Sequence, residues 1–288
     1  MTEPVGTTRN LQVAERLRQF ADLLASQRAN PFRVGAYRRA ADTVAGLGRD
    51  VGDIHAEQGV AGLEALPGIG SSIAATIAEL VRTGRSSQLE RLRGSLDPEA
   101  LFQTVPGIGP ALARRIHDGL HVDTLEAFEA TAHDGSLEAL PGVGPRRAAM
   151  VRAALAGMLA RTRPPRSASP GGQEPGVALL LDVDREYREG AEAGRLPTIA
   201  PRRFNPTGEA WLPVLHTERG SWHFSALFSN TARAHELGHT RDWVVIYFTT
   251  DGAQEGQRTV VTETAGVLAG RRVVRGLEAA CREYYRSR

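Results

Sequence analysis

The order of apolar and polar positions changes once along this chain. Between residues 10 and 160, apolar residues recur every three or four positions, with hardly a run of β-branched residues. This spacing predicts amphipathic helices. After residue 176, the segments AWLPVLHT, SWHFSALF, DWVVIYFTT and QRTVVTET alternate or cluster as strands do. The pattern predicts an all-α domain at residues 1–160 and a smaller α+β domain at residues 177–288.

The segment between the two patterns has the composition of a linker. Residues 161–176 read RTRPPRSASPGGQEPG, and so many prolines, glycines and serines neither pack a core nor sustain a helix. A chain of 288 residues is also long enough for two modest domains, each with its own core. Directly after the linker we expect VALLL, residues 177–181, to be a strand.

One short phrase recurs three times in the helical part. The copies are LEALPGIGSSIAATI from Leu63, LFQTVPGIGPALARRI from Leu101 and LEALPGVGPRRAAMV from Leu137. Each copy predicts the end of a helix, a tight turn and a second helix, because proline stops a helix and glycine permits angles that a side chain forbids. We expect the aliphatic residue of each turn to fill the space between the helices, and alanines to let the helices approach: Ile69, Ile108 and Val143; Ala74, Ala111, Ala113 and Ala148.

The repeated phrase resembles the helix-hairpin-helix motif of DNA repair proteins. A turn without side chains lets backbone N–H groups at the start of the second helix reach a phosphate, and such contacts read no base sequence. A single PGIG is typical of an ordinary helix cap, whereas three copies with the same flanks favour nucleic-acid binding. Arginines after the second and third turns add charge-assisted bonds, while the first copy has Ser71 and Ser72 there. The predicted DNA-binding residues at the turns are Gly68, Gly70, Gly107, Gly109, Arg114, Arg115, Gly142, Gly144, Arg146 and Arg147.

The residues around the first copy carry a more specific resemblance. NPFRVGAYRRAADTVAGL at residues 30–47, then LPGIG, then RTGRSSQLERLR at residues 82–93 resemble the amino-terminal domain of family X DNA polymerases. The resemblance covers about residues 10–160. It implies binding of gapped or nicked DNA, with a monovalent cation at a hairpin. Tyr37 either faces the DNA or packs between helices. The resemblance also implies that Arg38 and Arg39 lie near the DNA, and helical spacing lets Arg33 share a face with Tyr37 and Arg38. The further predicted DNA-binding residues are therefore Arg33, Arg38 and Arg39.

The enzymatic residues of family X are missing from the expected places. All 35 basic residues are arginine, so the lysine nucleophile of a sugar-phosphate lyase has no counterpart, and Ser72 and Thr76 stand in the matching stretch. A polymerase core needs several carboxylates around two metal ions. Its D-x-D motif has one match, Asp182 to Asp184, with no Gly-Ser pair before it. We expect neither activity, and one aspartate to cap the helix REYREGAEA.

The segment HELGH, residues 235–239, fits the H-E-x-x-H pattern of zinc hydrolases. Those enzymes hold both histidines one turn apart on a long helix. Here we expect a short helix capped by Ser229 or Asn230 and ended by Gly238, so that the second histidine falls beyond it. A structural role for His235 and Glu236 is the main interpretation. The alternative is a metal-dependent hydrolase or nuclease with the ligands His235, His239 and Glu263.

The composition limits the ways in which the protein can bind an anionic partner. A net charge of +2 leaves anion binding to local patches and backbone donors. The second domain contains interleaved arginine and aromatic residues. They fit a site for base stacking, and they fit an ordinary core with a solvated rim equally well. These residues are Arg202, Arg203, Trp211, Trp222, His223, Arg271, Arg272 and Arg275. The single cysteine, Cys281, is expected to be a buried apolar residue on a helix.

Taken together, these features predict an all-α helix-hairpin-helix domain followed by a smaller α+β domain. We expect a sequence-independent DNA-binding protein of DNA repair that acts on gapped, nicked or otherwise structured DNA. No cofactor is expected apart from the hairpin cation. The amino terminus lacks the apolar core of a signal peptide, and no apolar run is long enough to span a bilayer, so a cytoplasmic location is expected. A protein-binding scaffold remains a third interpretation.

Overall fold

The computed structural model describes residues 7–160, 174–250 and 255–287. Helices fill the first range, and a sheet with helices fills the other two. The all-α part followed by an α+β part is therefore confirmed. The predicted linker, residues 161–176, lies outside the described residues except for 174–176, and the domain division at that linker stays a prediction.

Polar side chains start most helices of the first helical unit (residues 7–94). The hydroxyl of Thr7 accepts the N–H of Asn10, and the side chains of Asn30 and Asp50 each accept an N–H two residues further on. These bonds satisfy donors that a helix start leaves unpaired. The helices are α1 (Thr8–Ser26), α2 (Pro31–Ala45), α3 (Val51–Glu64), α4 (Ser71–Thr83) and α5 (Ser87–Arg93), and α3 is interrupted at Gly59.

The second helical unit (residues 97–160) is built of shorter helices. They are α6 (Pro98–Phe102), α7 (Pro110–Leu120), α8 (Leu125–His133) and α9 (Pro145–Ala160). Proline stands at the first position of α6, α7 and α9. Its fixed φ and missing N–H fit that position, where the N–H has no partner within the helix.

The segment before the third Pro-Gly turn differs from the prediction. We expected LEAL, residues 137–140, to end a helix as in the other copies. Instead α8 ends at His133, Gly135 has a φ of 89°, and residues 134–142 form bends and turns. A glycine in the left-handed region ends a helix, so the helix stops before it reaches the turn. The expected helix is wrong for this copy.

The carboxyl-terminal domain (described residues 174–250 and 255–287) contains a six-stranded antiparallel sheet in which each strand pairs with the next. The strands are β1 (Thr198–Ile199), β2 (Leu212–Arg219), β3 (Trp222–Phe228), β4 (Val244–Thr249), β5 (Gly256–Thr262) and β6 (Arg272–Val274). The helices are α10 (Val177–Glu192), α11 (Ala232–Glu236), α12 (Glu278–Arg286) and a 3₁₀ turn, Gly266–Leu268. The four predicted strand segments are confirmed.

The segment VALLL, residues 177–181, is helical and forms the start of α10. Asp182 and Asp184 lie inside this helix, so the expected strand and the expected aspartate cap are both wrong. A short apolar run fits a buried helix face as well as a strand. Asp184 is fully buried and bonds the guanidinium of Arg272 at 2.6 Å, which ties α10 to β6.

Both faces of the sheet are covered. On one face, the hydroxyl of Thr217 in β2 bonds Glu186 of α10 at 3.1 Å. On the other face, His216 Nε2 lies 3.0 Å from Gln27 Oε1 at the end of α1. Successive side chains of a strand point to opposite faces. The sheet therefore lies between α10 and the first helical unit.

Buried apolar side chains form two clusters among the described residues. One cluster runs from the first helical unit into the sheet and includes Leu17, Leu92 and Val214. The other lies inside the second helical unit, around Phe102 and Phe128. The first helical unit thus shares its core with the carboxyl-terminal domain, while the second helical unit has a core of its own.

Cys281 is fully buried on α12, as predicted for an apolar helix residue. Tyr37 is also buried and stacks on Phe20 with ring centroids 4.2 Å apart. Of its two predicted roles, packing between helices is the one the structure supports. Within the described residues, no helix has the length and apolar character needed to cross a membrane.

Candidate nucleic-acid interface

The three Pro-Gly-aliphatic-Gly turns share one backbone conformation. Their first glycine has a left-handed φ, which is 73° at Gly68, 87° at Gly107 and 80° at Gly142. L side chains rarely adopt such angles, so the fold itself requires these glycines. The aliphatic residue that follows is buried in each copy, as predicted: Ile69 is 4% exposed, Ile108 5% and Val143 5%.

The second glycine of each turn is not required by the fold. Gly70 and Gly109 cap α4 and α7 in extended backbone, with φ of −86° and −90°. A Cβ at Gly70, Gly109 or Gly144 would meet no atom within 4 Å. No side-chain oxygen caps α4 or α7, so glycine leaves the start of each helix open from outside. A phosphate that bonds the first N–H groups of a helix needs this open approach.

The alanines after the turns are mostly placed as predicted. Ala74, Ala113 and Ala148 are fully buried and let the helices of each hairpin pack closely. Ala111 is exposed. Because it lies two positions before the buried Ala113, on the opposite face of α7, it does not pack between the helices, and its predicted packing role is wrong.

The arginines after the second and third turns divide into two kinds. Arg114 is 68% exposed, 3.6 Å from a Glu99 oxygen, and Arg146 is exposed with no ion pair to another described residue. Arg115 and Arg147 instead bond the backbone carbonyls of Pro141 and Gly142. Arg114 and Arg146 therefore present charge to solvent, whereas Arg115 and Arg147 brace the third turn.

The three arginines of α2 face different surroundings. Arg39 is exposed, and its Cβ lies 3.9 Å from where a Cβ of Gly68 would stand. It therefore brings a cation beside the first turn, which has no arginine of its own. Arg38 is exposed and pairs with Asp22 at 3.3 Å. Arg33 lies against the sheet, in a small cavity with His216, away from the turns.

The HELGH segment does not assemble a metal site. Its helix, α11, is capped by Thr231 rather than by Ser229 or Asn230, and His239 follows the left-handed Gly238. The ring of His235 bonds Asn230 at 2.6 Å. Glu263, directly after β5, instead binds Arg275 at 2.8 Å. Among the described residues, no three histidine, cysteine or acidic side chains are arranged to hold a metal ion.

A buried polar cluster joins the second helical unit to the rest of the protein, and we call it the junction cluster. Its residues are Arg91, Glu99, His117, Asp123, Arg203, Tyr247 and Glu255. Arg91 stacks 3.3 Å from the ring centroid of Tyr247 and pairs with Glu255 at 2.6 Å. Tyr247 donates its hydroxyl hydrogen to Asp123, which also bonds His117. Burial alone would raise the pKa of Asp123, but its bonds to His117 and Tyr247 outweigh burial and lower it. The carboxylate therefore stays charged.

Most of the interleaved arginine and aromatic residues of the carboxyl-terminal domain hold the fold together. Arg203 bonds Glu99 at 2.7 Å, Arg275 bonds Glu263, and Arg272 bonds Asp184 and Asp242. The remaining members pack or pair nearby: Trp222 against Phe224 and Phe248, His223 with Glu218, and Arg271 over Tyr285. Two members differ. Trp211 is only partly buried, and Arg202 is exposed and forms no ion pair with another described residue.

Two family matches agree with this geometry. Residues 8–86 match the helix-hairpin-helix domain family, and residues 99–156 match the SAM-like helix-hairpin-helix tandem family. The first match spans the turn at Gly68, and the second spans the turns at Gly107 and Gly142. No curated protein matches the chain. The chain therefore carries helix-hairpin-helix domains, which are typically DNA-binding domains, followed by the sheet domain.

Proposed function

We propose that this protein binds DNA without sequence preference, by its phosphates, and acts on gapped, nicked or otherwise structured DNA in DNA repair. The second glycine of each turn carries the proposal. Gly70, Gly109 and Gly144 have no positive φ, and a Cβ there would meet no other described residue within 4 Å, so neither backbone conformation nor packing among the described residues requires glycine there. A phosphate oxygen approaching the helix start does explain it.

The exposed arginines support the same interface. Arg39 lies beside the first turn, while Arg114 and Arg146 follow the second and third turns. Each offers a charge-assisted bond to a phosphate next to the backbone donors. Such contacts position DNA but read no bases.

The distribution of the turns supports a structured substrate. One turn lies in the first helical unit and two in the second, and these units have separate apolar cores. Two DNA-binding positions on separate units suit the duplex segments on either side of a gap or nick. The resemblance of residues 10–160 to the amino-terminal region of family X polymerases points to the same kind of DNA.

The test compares two glycines at helix caps. Gly109 and Gly176 both cap a helix in extended backbone, lack a side-chain cap and have open surroundings. Aspartate is a good cap, so neither Gly109→Asp nor Gly176→Asp should lower the melting temperature. Gly109→Asp puts a carboxylate where the phosphate binds, and we expect affinity for gapped duplex DNA to fall at least about tenfold. Fluorescence anisotropy measures this affinity.

The control separates the turn from total charge. Gly176→Asp changes the net charge by the same amount outside the hairpins, and we expect its affinity to stay within about twofold of the parent. Equal affinity of Gly109→Asp and Gly176→Asp for gapped DNA would show that the second hairpin does not bind phosphate.

A further inference from the structure

Phe204 displays an aromatic ring at the surface in a strained backbone conformation. Its φ is 53°, and the residue is 46% exposed. A left-handed φ is unfavourable for a bulky residue. Within the protein the ring contacts His235 and the guanidinium of Arg203, which lies 5.1 Å from its centroid. Nearly half of the residue remains open to a further contact.

The ring of Phe204 is part of an aromatic surface with a fixed geometry. It lies against His235, with centroids 4.4 Å apart and planes tilted by 37°, and Trp211 meets His235 edge-on at 6.4 Å. We call Phe204, Trp211 and His235 the aromatic platform. The platform continues into a cavity of about 460 Å³, which is walled by Trp211 and two arginines, Arg188 and Arg241.

Hydrogen bonds hold the histidine of the platform in place. Asn230 donates its amide hydrogen to the carbonyl of Arg203 at 3.1 Å, so its Oδ1 is left to accept from His235 Nε2 at 2.6 Å. Burial and the nearby charge of Arg203 lower the pKa of His235, so the imidazole is neutral near pH 7. A neutral ring stacks without the cost of desolvating a charge.

The platform adjoins the second hairpin. Glu99 bonds Arg203 at 2.7 Å through one oxygen and lies 3.6 Å from Arg114 through the other. Arg114 is the exposed arginine that follows the second turn, and Phe204 comes directly after Arg203. The backbone N–H of Ala232, at the start of α11, also bonds Asp118 of α7. The platform and the second hairpin therefore lie on either side of one carboxylate.

Charges around the platform suit a polyanion. The cavity is lined by Arg188, Arg241 and one acid, Glu192. Arg188 pairs with the buried Asp184, whose other partner is Arg272. Arg241 is exposed and makes no hydrogen bond or ion pair with another described residue. Proteins bind single-stranded nucleic acids with aromatic side chains and arginines side by side, because any base can stack on the ring and any phosphate can pair with the guanidinium.

We propose that the aromatic platform is a stacking site for an unpaired nucleotide of the DNA that the second hairpin holds. The inference rests on the proposed DNA binding and extends it. The hairpin holds the duplex by its phosphates, and the platform takes a base that has no partner strand. The carboxyl-terminal domain would then supply the preference for gaps and single-stranded ends.

The experiment compares a blunt DNA duplex with the same duplex carrying a single-stranded tail that contains 2-aminopurine. Stacking contributes enough per base that the parent should bind the tailed duplex about tenfold more tightly. The parent should also quench the 2-aminopurine fluorescence. Phe204→Ala should lose both the preference and the quenching while its affinity for blunt duplex stays the same. Phe204→Tyr keeps an aromatic ring and should retain both.

Phe32→Ala is the matched control, since Phe32 is 85% exposed on α2, far along the chain from the platform. It should keep the preference for the tail. A parent that binds blunt and tailed duplex equally would overturn this inference alone, as would a Phe204→Ala variant that keeps the preference. An equal loss in Phe32→Ala would also overturn it. A parent that binds neither DNA would overturn the proposed function as well.

Discussion

The two helical units carry the same hairpin motif but are attached to the protein in different ways. The first helical unit has one turn, and its apolar core continues into the sheet. The second helical unit has two turns and its own core, and polar contacts of the junction cluster, Asp123 with Tyr247 and Glu99 with Arg203, help to join it to the carboxyl-terminal domain. One motif therefore occurs both in a unit that shares its core with the sheet and in a unit that has a core of its own.

Two phenylalanines test whether the cores are separate. Phe128 lies in the core of the second helical unit and packs on Phe102, and Phe20 lies in the shared core and packs on Tyr37. Each change to alanine should cost about 3–5 kcal/mol. In native-state hydrogen exchange, Phe128→Ala should speed exchange within residues 97–160 and leave β3 and β4 protected. Phe20→Ala should speed exchange in α1 and in the sheet together.

If β3 and β4 lost protection from hydrogen exchange equally in the two variants, the two cores would not be separate. That result would mean that the two clusters of buried side chains unfold as one.

Arg91 tests how the junction cluster joins the helical units to the carboxyl-terminal domain, because it lies on α5, pairs with Glu255 and stabilises the charge of Asp123. It is 4% exposed, and Arg91→Met would leave Glu255 and Asp123 without its charge. Removing one partner of a buried ion pair costs about 3 kcal/mol or more. Arg152→Met is the control, because Arg152 pairs with Glu138 inside the unit with both side chains about 30% exposed, and such pairs contribute about 1 kcal/mol or less. Urea unfolding measures both, and equal losses would show that the junction cluster does not stabilise the assembly.

The hairpins were predictable because their requirement is local. A proline, a left-handed glycine and a buried aliphatic residue at fixed spacing give the same turn three times, and each residue type has one physical reason to be there. The second glycines at positions 70, 109 and 144 could be named from the sequence for the same reason. That the fold does not need them is visible only when their surroundings are known.

Elsewhere the local sequence either fitted two structures equally well or carried no pattern that predicts the structure. The run VALLL fits a buried helix as well as a strand, and α10 became helical against the sheet. Thr231 caps α11, while the side chain of Asn230 bonds the carbonyl of Arg203 and the ring of His235 instead, a contact that capping preference does not predict. The aromatic platform depends on the left-handed backbone of Phe204 and on Arg203 meeting Glu99, 104 residues earlier in the chain. Neither is encoded in a local pattern.

His216 tests the contact between the first helical unit and the sheet. Burial, with the charges of Arg33 and Arg91, lowers its pKa from 6.5 to about 3. The neutral ring bonds Ser225 and Gln27. The unfolded chain takes up a proton near pH 6.5 while the folded chain does not, so stability is full above that pH and is lost as the pH falls toward 3.

The loss should be roughly 1–2 kcal/mol at about pH 5. It is measured by urea unfolding at several pH values. His216→Gln should reduce this dependence and leave the part that comes from His121, whose pKa burial lowers to about 4, whereas the exposed His133→Gln should not change it. An unchanged slope in His216→Gln would show that this ring does not make the contact sensitive to pH.

The smallest effect separates the two kinds of arginine at the third turn. Arg146 is exposed, and Arg147 bonds the carbonyl of Gly142 at 3.2 Å. We expect Arg146→Gln to reduce the slope of log affinity against log salt by about 0.9, the value for one lost phosphate contact. Arg147→Gln should lower the melting temperature more and the slope less. The reverse order would assign the phosphate contact to Arg147.

The proposed DNA binding depends on turns that contact only the phosphates. It is tested by the affinity of the parent protein for two duplexes of unrelated sequence and equal length, over a range of salt concentrations. We expect equal affinities for the two sequences and a steep, linear fall of log affinity with log salt, since each phosphate contact releases counterions. Affinities that differ by about tenfold or more between the sequences, or that do not change with salt, would contradict it.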